Sequence, residues 1–119
     1  DYTPVSVADN KIKKSDSDMS IPLKRTTDIL KFLGENKKPG QFICGFSMET
    51  ENMLDNSRKK LEKKNADMIV ANSLVTGGAG FGTDTNIVTL ITKDNIKEYD
   101  IMSKEKVADT ILDAIINGF

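Results

Sequence analysis

Apolar positions along the chain fall into short blocks separated by polar or glycine-containing stretches, and their spacing separates strands from helices. The continuous run Phe42-Ile43-Cys44-Gly45-Phe46, after the turn residues Lys38-Pro39-Gly40, predicts a strand over 41–46 covered on both faces and central in its sheet. Over 53–64, Met53, Ser57 and Leu61 recur every four residues, the spacing of one helix face, and 67–71 returns to a short apolar strand. Together these make one β-α-β unit. Upstream, 19–23 predicts a short strand. Residues 26–34 predict a two-turn helix with a cap, an early acid (Asp28) and Gly34 just past its end. Downstream, the glycine-rich stretch 77–82 predicts a flexible or tight loop, 86–92 a strand, and Asp94-Asn95 a hairpin into 97–101. Ser103 then caps a last helix with Val107, Ala108, Ile111, Leu112 and Ile115 on one stripe, ended by Gly118. Residues 1–18 are polar and predict a mobile arm or active-site loop. Strands alternating with helices at these lengths predict an α/β fold. The expected form is a Rossmann-like three-layer sandwich with a mostly parallel sheet and an antiparallel hairpin near the C-terminus.

Composition narrows the chemistry. The 119 residues suit one domain, which at this size buries roughly two-thirds of its unfolded surface. Lys and Arg number 17 against 18 Asp and Glu, a net charge of -1, so an attraction to anions must be local and neither nucleic acid nor a membrane is an expected partner. With no His, a Ser/His/Asp triad, a Cys/His pair and a conventional zinc site are excluded, and no metal ligands are assigned. The one cysteine, Cys44, lies inside an apolar run and reads as a small buried hydrophobe; no intrachain disulfide can form. No apolar stretch approaches a membrane span and the first residues lack the features of a signal peptide, so the expected compartment is the cytoplasm. A start at Asp1 without an initiator Met suggests processing, proteolysis or a chain that begins mid-protein.

Several features could carry chemistry. The helix start Thr26-Thr27-Asp28 offers free N–H groups and a positive dipole end, a phosphate cradle or an ordinary stabilised helix start. Lys60 and Lys64 project beside the Met53/Ser57/Leu61 stripe while Lys59 and Lys63 face away; the pair either snorkels to water or contacts a nucleotide. Lys11-Ile12-Lys13-Lys14 is a solvated run or a mobile cation able to close over developing phosphate charge. Phe46, at the strand end where open α/β sheets bind ligands, is core or ligand-facing. Glu49 and Glu51 read as solvated caps with no catalytic role. The glycine-rich stretch fits neither the dinucleotide fingerprint nor the P-loop.

Taken in order, these segments resemble the phosphopantothenate-cysteine ligase family. The resemblance runs from Asp1 to about Ile116 and rests on the Asp-Tyr start, Lys11-Ile12-Lys13-Lys14, Thr27-Asp28-Ile29-Leu30 and Gly45 through Asn52. It continues through Lys60 with Lys64-Asn65-Ala66-Asp67, Ala71-Asn72, and Gly80-Phe81-Gly82 through Asp84 and Asn86. It implies that CTP activates the carboxylate of 4′-phosphopantothenate to an acyl cytidylate, which the amino group of L-cysteine then converts to product in coenzyme A biosynthesis. By resemblance, Asp1, Lys11, Thr27, Asp28, Ile29, Leu30, Phe46, Lys60 and Lys64 contact CTP, and Lys11 serves the conversion of the acyl cytidylate. Mg²⁺ is expected to arrive with the nucleotide. A homodimer is implied, as is a flavin-dependent decarboxylase, fused or separate. Three positions depart from the family pattern: Thr26-Thr27 stands for Asn-Pro, Ser47-Met48 for two alanines, and Ser73 for Asp. The family's N-terminal half has no counterpart here, so this chain alone is expected to be catalytically incomplete. The competing readings are a Rossmann-type dinucleotide-binding oxidoreductase domain, disfavoured by the missing fingerprint, and a nucleic-acid-binding module, disfavoured by the net charge.

Overall fold

Four consecutive apolar residues, Met68, Ile69, Val70 and Ala71, are wholly buried and form the middle of the molecule. They belong to a computed structural model that describes residues 1–73 and 82–119. In chain order the elements are β1 (Tyr2–Pro4), β2 (Leu23–Arg25), α1 (Ile29–Glu35), β3 (Cys44–Glu49), α2 (Met53–Lys63), β4 (Met68–Ser73), β5 (Thr85–Asn86), β6 (Val88–Thr92), β7 (Ile96–Glu98), β8 (Met102–Ser103) and α3 (Lys104–Asn117). The architecture is mixed α/β, with the main sheet in the order β3-β4-β6-β7.

The β3-α2-β4 crossover makes one parallel pair, Cys44 opposite Met68 through Glu49 opposite Ser73. β6 then lies antiparallel to β4, and β7 antiparallel to β6 through the turn at Asp94-Asn95. The described sheet is therefore mixed and not mostly parallel. Between β4 and β6 no helix stands among the described residues, and a parallel return needs such a crossover. Residues 77–81 of the glycine-rich stretch lie outside the described residues.

Several expected elements shift. The strand buried on both faces is β4; β3 starts at Cys44 and is the edge of the described sheet, with Phe46 61% exposed. The early strand is Leu23–Arg25, paired with β1 in a separate antiparallel ribbon, not 19–23. This ribbon closes the arm: Val5 N donates to the Pro22 carbonyl and Thr26 N to the Asp1 carbonyl, both at 3.0 Å. The radius of gyration is 18.6 Å, against about 13–14 Å for a compact chain of this length. Asn86 does not extend β6; it pairs with Met102 in the β5/β8 ribbon.

α3 covers one face of the sheet. Its Val107, Ile111 and Ala114 pack with Met68 and Val70 of β4 and Val88 and Leu90 of β6. Ala108 and Leu112, expected on this stripe, face outward, Leu112 being 57% exposed; Ala114 takes the inward place because the contact follows the i, i+4, i+7 row. The helix is capped as expected: Ser103 Oγ accepts from Lys106 N at 3.2 Å, and Gly118 follows with φ 72°. α2 buries Ser57 and Leu61. Cys44 is half-buried against the core, and burial pushes its thiol pKa up, so it behaves as a small hydrophobe.

Candidate functional site

Two glycines and one short motif bring α1, the end of β3 and the end of α2 together. At Gly45, a Cβ would stand 2.7 Å from Leu30 Cδ2, so the absent side chain lets α1 sit on β3. Gly34 lies inside α1, not beyond it. A Cβ there would stand 1.7 Å from the Lys64 carbonyl oxygen, so α1 and the C-terminal end of α2 meet backbone to backbone. Lys64-Asn65-Ala66-Asp67 completes the junction. Asn65 takes the left-handed conformation (φ 49°) that ends α2, and its Nδ2 donates to the Gly34 carbonyl at 3.0 Å. Asp67 accepts from Ile43 N at 2.7 Å and pairs with Lys37 at 2.6 Å. The Asn and Asp of this motif are thus structural, and they present Lys64 to solvent-facing space.

That space is a cleft of 1120 Å³ between the β1/β2 ribbon, α1, β3 and α2. Of the nine residues singled out from sequence, eight line it: Asp1, Thr27, Asp28, Ile29, Leu30, Phe46, Lys60 and Lys64. Lys11 does not; it is exposed on the arm. The cleft also takes in Arg25, Lys31 and Lys63, which sequence reasoning did not select. Lys63 had been expected to face away, but it is the last residue of α2, where the cleft opens. Arg25 is placed there by the β1/β2 pairing, for which the sequence carries no local signal. Five basic side chains (Arg25, Lys31, Lys60, Lys63, Lys64) thus face two acidic ones (Asp1, Asp28). A chain of net charge -1 concentrates positive potential in one concavity, which suits a polyanion.

The two lysines selected by periodicity each hold a carboxylate. Lys64, with its side chain 16% exposed, pairs with Asp28 Oδ2, while Asp28 Oδ1 caps α1 by accepting from Lys31 N at 2.9 Å. The bond from Lys64, then that from Lys31 N, holds the Asp28 carboxyl below its ordinary pKa. The helix-start cradle is therefore already capped by its own side chain, and anion attraction in the cleft comes from the surrounding cations. Lys60 Nζ donates to Ser47 Oγ at 2.9 Å and lies 3.3 Å from Glu49 Oε1; Ser47 Oγ donates to the same oxygen at 2.9 Å. Burial alone would raise the Glu49 pKa, but the bonds from Ser47 and Lys60, with that from Asn56, outweigh it and leave the carboxyl lowered. Glu49 is thus no solvated cap but part of a network with Lys60. Phe46 offers an exposed aromatic face at the cleft's edge.

Residues 1–119 match the family described as DNA/pantothenate metabolism flavoprotein C-terminal domain. The chain belongs to this family. Within it, the chain is 53% identical over 116 residues to the Coenzyme A biosynthesis bifunctional protein CoaBC of Bacillus subtilis (strain 168), covering 97% of this chain and 28% of that protein. It is 44% identical over 117 residues to a protein named Cysteine/Cysteine sulfinic acid decarboxylase from an unknown prokaryotic organism, covering 98% and 33%. In structure it is similar to the C-terminal domain of Coenzyme A biosynthesis bifunctional protein CoaBC, with a TM-score of 0.74 and 40% identity over 97% of this chain and 47% of that one. The chain thus spans about a third or less of these curated relatives. No helix among the described residues is long and apolar enough to cross a membrane.

Proposed function

We propose that this chain supplies the CTP-binding part of a phosphopantothenate-cysteine ligase, an enzyme of coenzyme A biosynthesis that joins 4′-phosphopantothenate to L-cysteine. The observation that carries this reading is the convergence of α1, Phe46 of β3, Lys60 of α2 and Lys64 just past its end on one basic cleft, in a chain of the pantothenate-flavoprotein family. Residues 1–119 act as one nucleotide-binding unit, half of a Rossmann-type three-layer sandwich with helices on both faces of the sheet. This agrees with the crossover geometry and with a solved relative about twice as long.

In the proposed reaction a carboxylate oxygen of phosphopantothenate bonds to the α-phosphorus of CTP, the bond to the bridging oxygen breaks, and pyrophosphate leaves. The cysteine amine then bonds to the acyl carbon, loses a proton, and CMP leaves with the electrons of the broken C–O bond. Both steps load negative charge onto phosphate oxygens, so preorganised cations lower both barriers. Lys60 and Lys64, with Lys31, Lys63 and Arg25 around them, hold the triphosphate. Phe46 offers a stacking surface for the base. Thr27, Asp28, Ile29 and Leu30 form the wall against which the nucleoside lies, and Asp1 orients it. Lys11, carried on the arm, closes over the acyl cytidylate as the catalytic cation. Mg²⁺ enters on the triphosphate. Among the described residues no three His, Cys, Asp or Glu side chains gather into a metal cage, and none of these roles depends on one.

The arm exposes Val5, Val7 and Ile12, and the residues that follow it expose Met19 and Ile21, which suits exchange with a second copy in a homodimer. A flavin-dependent decarboxylase, fused upstream or separate, completes the route, in the cytoplasm. The test is to join the chain to an N-terminal half from a ligase of the family and follow pyrophosphate and CMP release. Pyrophosphate release should require both CTP and phosphopantothenate, and Lys11→Gln should slow CMP release more than pyrophosphate release. Equal turnover with ATP, or no nucleotide dependence, would overturn the assignment.

A further inference from the structure

We infer that Glu49 is a positioning residue for Lys60, holding its ammonium group toward the cleft through Ser47. An ammonium group has three N–H bonds. Two of those on Lys60 have partners at the end of β3: Ser47 Oγ at 2.9 Å and Glu49 Oε1 at 3.3 Å. Ser47 is 2% exposed and cannot turn to water, and its hydroxyl donates to Glu49 Oε1 at 2.9 Å while accepting from Lys60. Glu49 is braced on its other oxygen by Asn56 Nδ2 at 3.3 Å, and Asn56 is tied in turn to the Glu51 carbonyl at 3.1 Å. The long lysine chain is thus held by Ser47 and Glu49, with Asn56 bracing Glu49 from behind, and its remaining N–H is left for the cleft it lines. Fixing a flexible cation before the ligand arrives removes part of the ordering cost of binding. The role rests on the reading of Lys60 as a phosphate ligand.

Coulomb's law alone gives the opposite sign. Removing a carboxylate from a basic cleft raises its attraction for an anion, whereas loss of positioning lowers it. Glu49→Gln keeps an acceptor for Lys60 and Ser47 but removes the charge; Glu49→Ala removes both. Calorimetric titration with CTP should give Glu49→Gln within about twofold of the parent and Glu49→Ala weaker by about fivefold or more, with no further loss when Glu49→Ala is added to Lys60→Ala. Affinity in Glu49→Ala equal to or above that of Glu49→Gln, or an equal loss in the Lys60→Ala background, overturns the positioning role. Unchanged affinity in Lys60→Ala itself overturns the nucleotide reading instead. On the ligand-free protein, a slowly exchanging Lys60 ammonium resonance should persist in Glu49→Gln and vanish in Glu49→Ala. Its persistence in Glu49→Ala also overturns the role, whether or not nucleotide binds.

Discussion

Gly34→Ala is the substitution that most directly links packing to the cleft. In an exposed helix interior the change would stabilise by about 0.5–1 kcal/mol, because alanine loses less backbone freedom on folding. Gly34 is buried, however, and the new Cβ would lie 1.7 Å from the Lys64 carbonyl oxygen and 2.8 Å from its carbonyl carbon. Both atoms are backbone, so no rotamer change relieves the contact; α1 and the end of α2 must separate by more than an ångström. Such overpacking typically costs about 1–3 kcal/mol, and the Asn65 bond to the Gly34 carbonyl, worth about 1 kcal/mol, is strained with it. The net effect is a loss of about 2 kcal/mol, read by urea denaturation as a lower midpoint at unchanged slope. Since Asp28 caps the start of α1 and Lys64 the end of α2, CTP affinity should fall in the same variant. A Gly34→Ala protein as stable as the parent, or more so, would refute the backbone contact and with it the explanation of how Lys64 reaches the cleft.

Other expectations follow from the same geometry. Lys60→Ala or Lys64→Ala should weaken CTP binding about tenfold by titration, with only a small fall in unfolding free energy, from loss of the ion pairs to Glu49 and Asp28, because neither is core. Ser57 Oγ is buried without a hydrogen-bond partner among the described residues, so Ser57→Ala should leave stability unchanged or raise it by up to about 1 kcal/mol in chemical denaturation. The Asp28 and Glu49 carboxyls are both held below their ordinary pKa. Their stabilisation is present above the ordinary carboxylate range, near about pH 4, and is lost as pH falls through the lower folded values. Denaturation at a series of acidic pH values should therefore show a shallower acid loss in Asp28→Asn combined with Glu49→Gln.

Periodicity found what periodicity encodes. Four consecutive apolar residues located β4, the four-residue spacing of Met53, Ser57 and Leu61 located α2, and the same spacing placed Lys60 and Lys64 beside its buried face. What it missed depends on neighbours distant in sequence. The apolar run at Phe42-Ile43-Cys44 reads alike for a central strand and for one at the edge of the described sheet, because hydropathy records burial and not the identity of what buries it. Arg25 enters the cleft only through pairing with Tyr2. Gly34 looks like a helix stop because glycine usually is one; here it answers to the Lys64 backbone thirty residues on. Lys63 was misjudged because a helix end faces more directions than a helix middle. Within its basic run Lys11 was singled out only by resemblance, since Lys13 and Lys14 read alike, and its exposed place on the arm leaves its role to be tested by activity.

Calorimetric titration of the chain with CTP in the presence of Mg²⁺, with ATP and NAD as controls, tests the central claim most directly. Selective heat with CTP, diminished in both Lys60→Ala and Lys64→Ala, is the expected result. Binding that does not discriminate CTP from ATP or NAD, or CTP binding indifferent to both lysines, would contradict the assignment of this cleft.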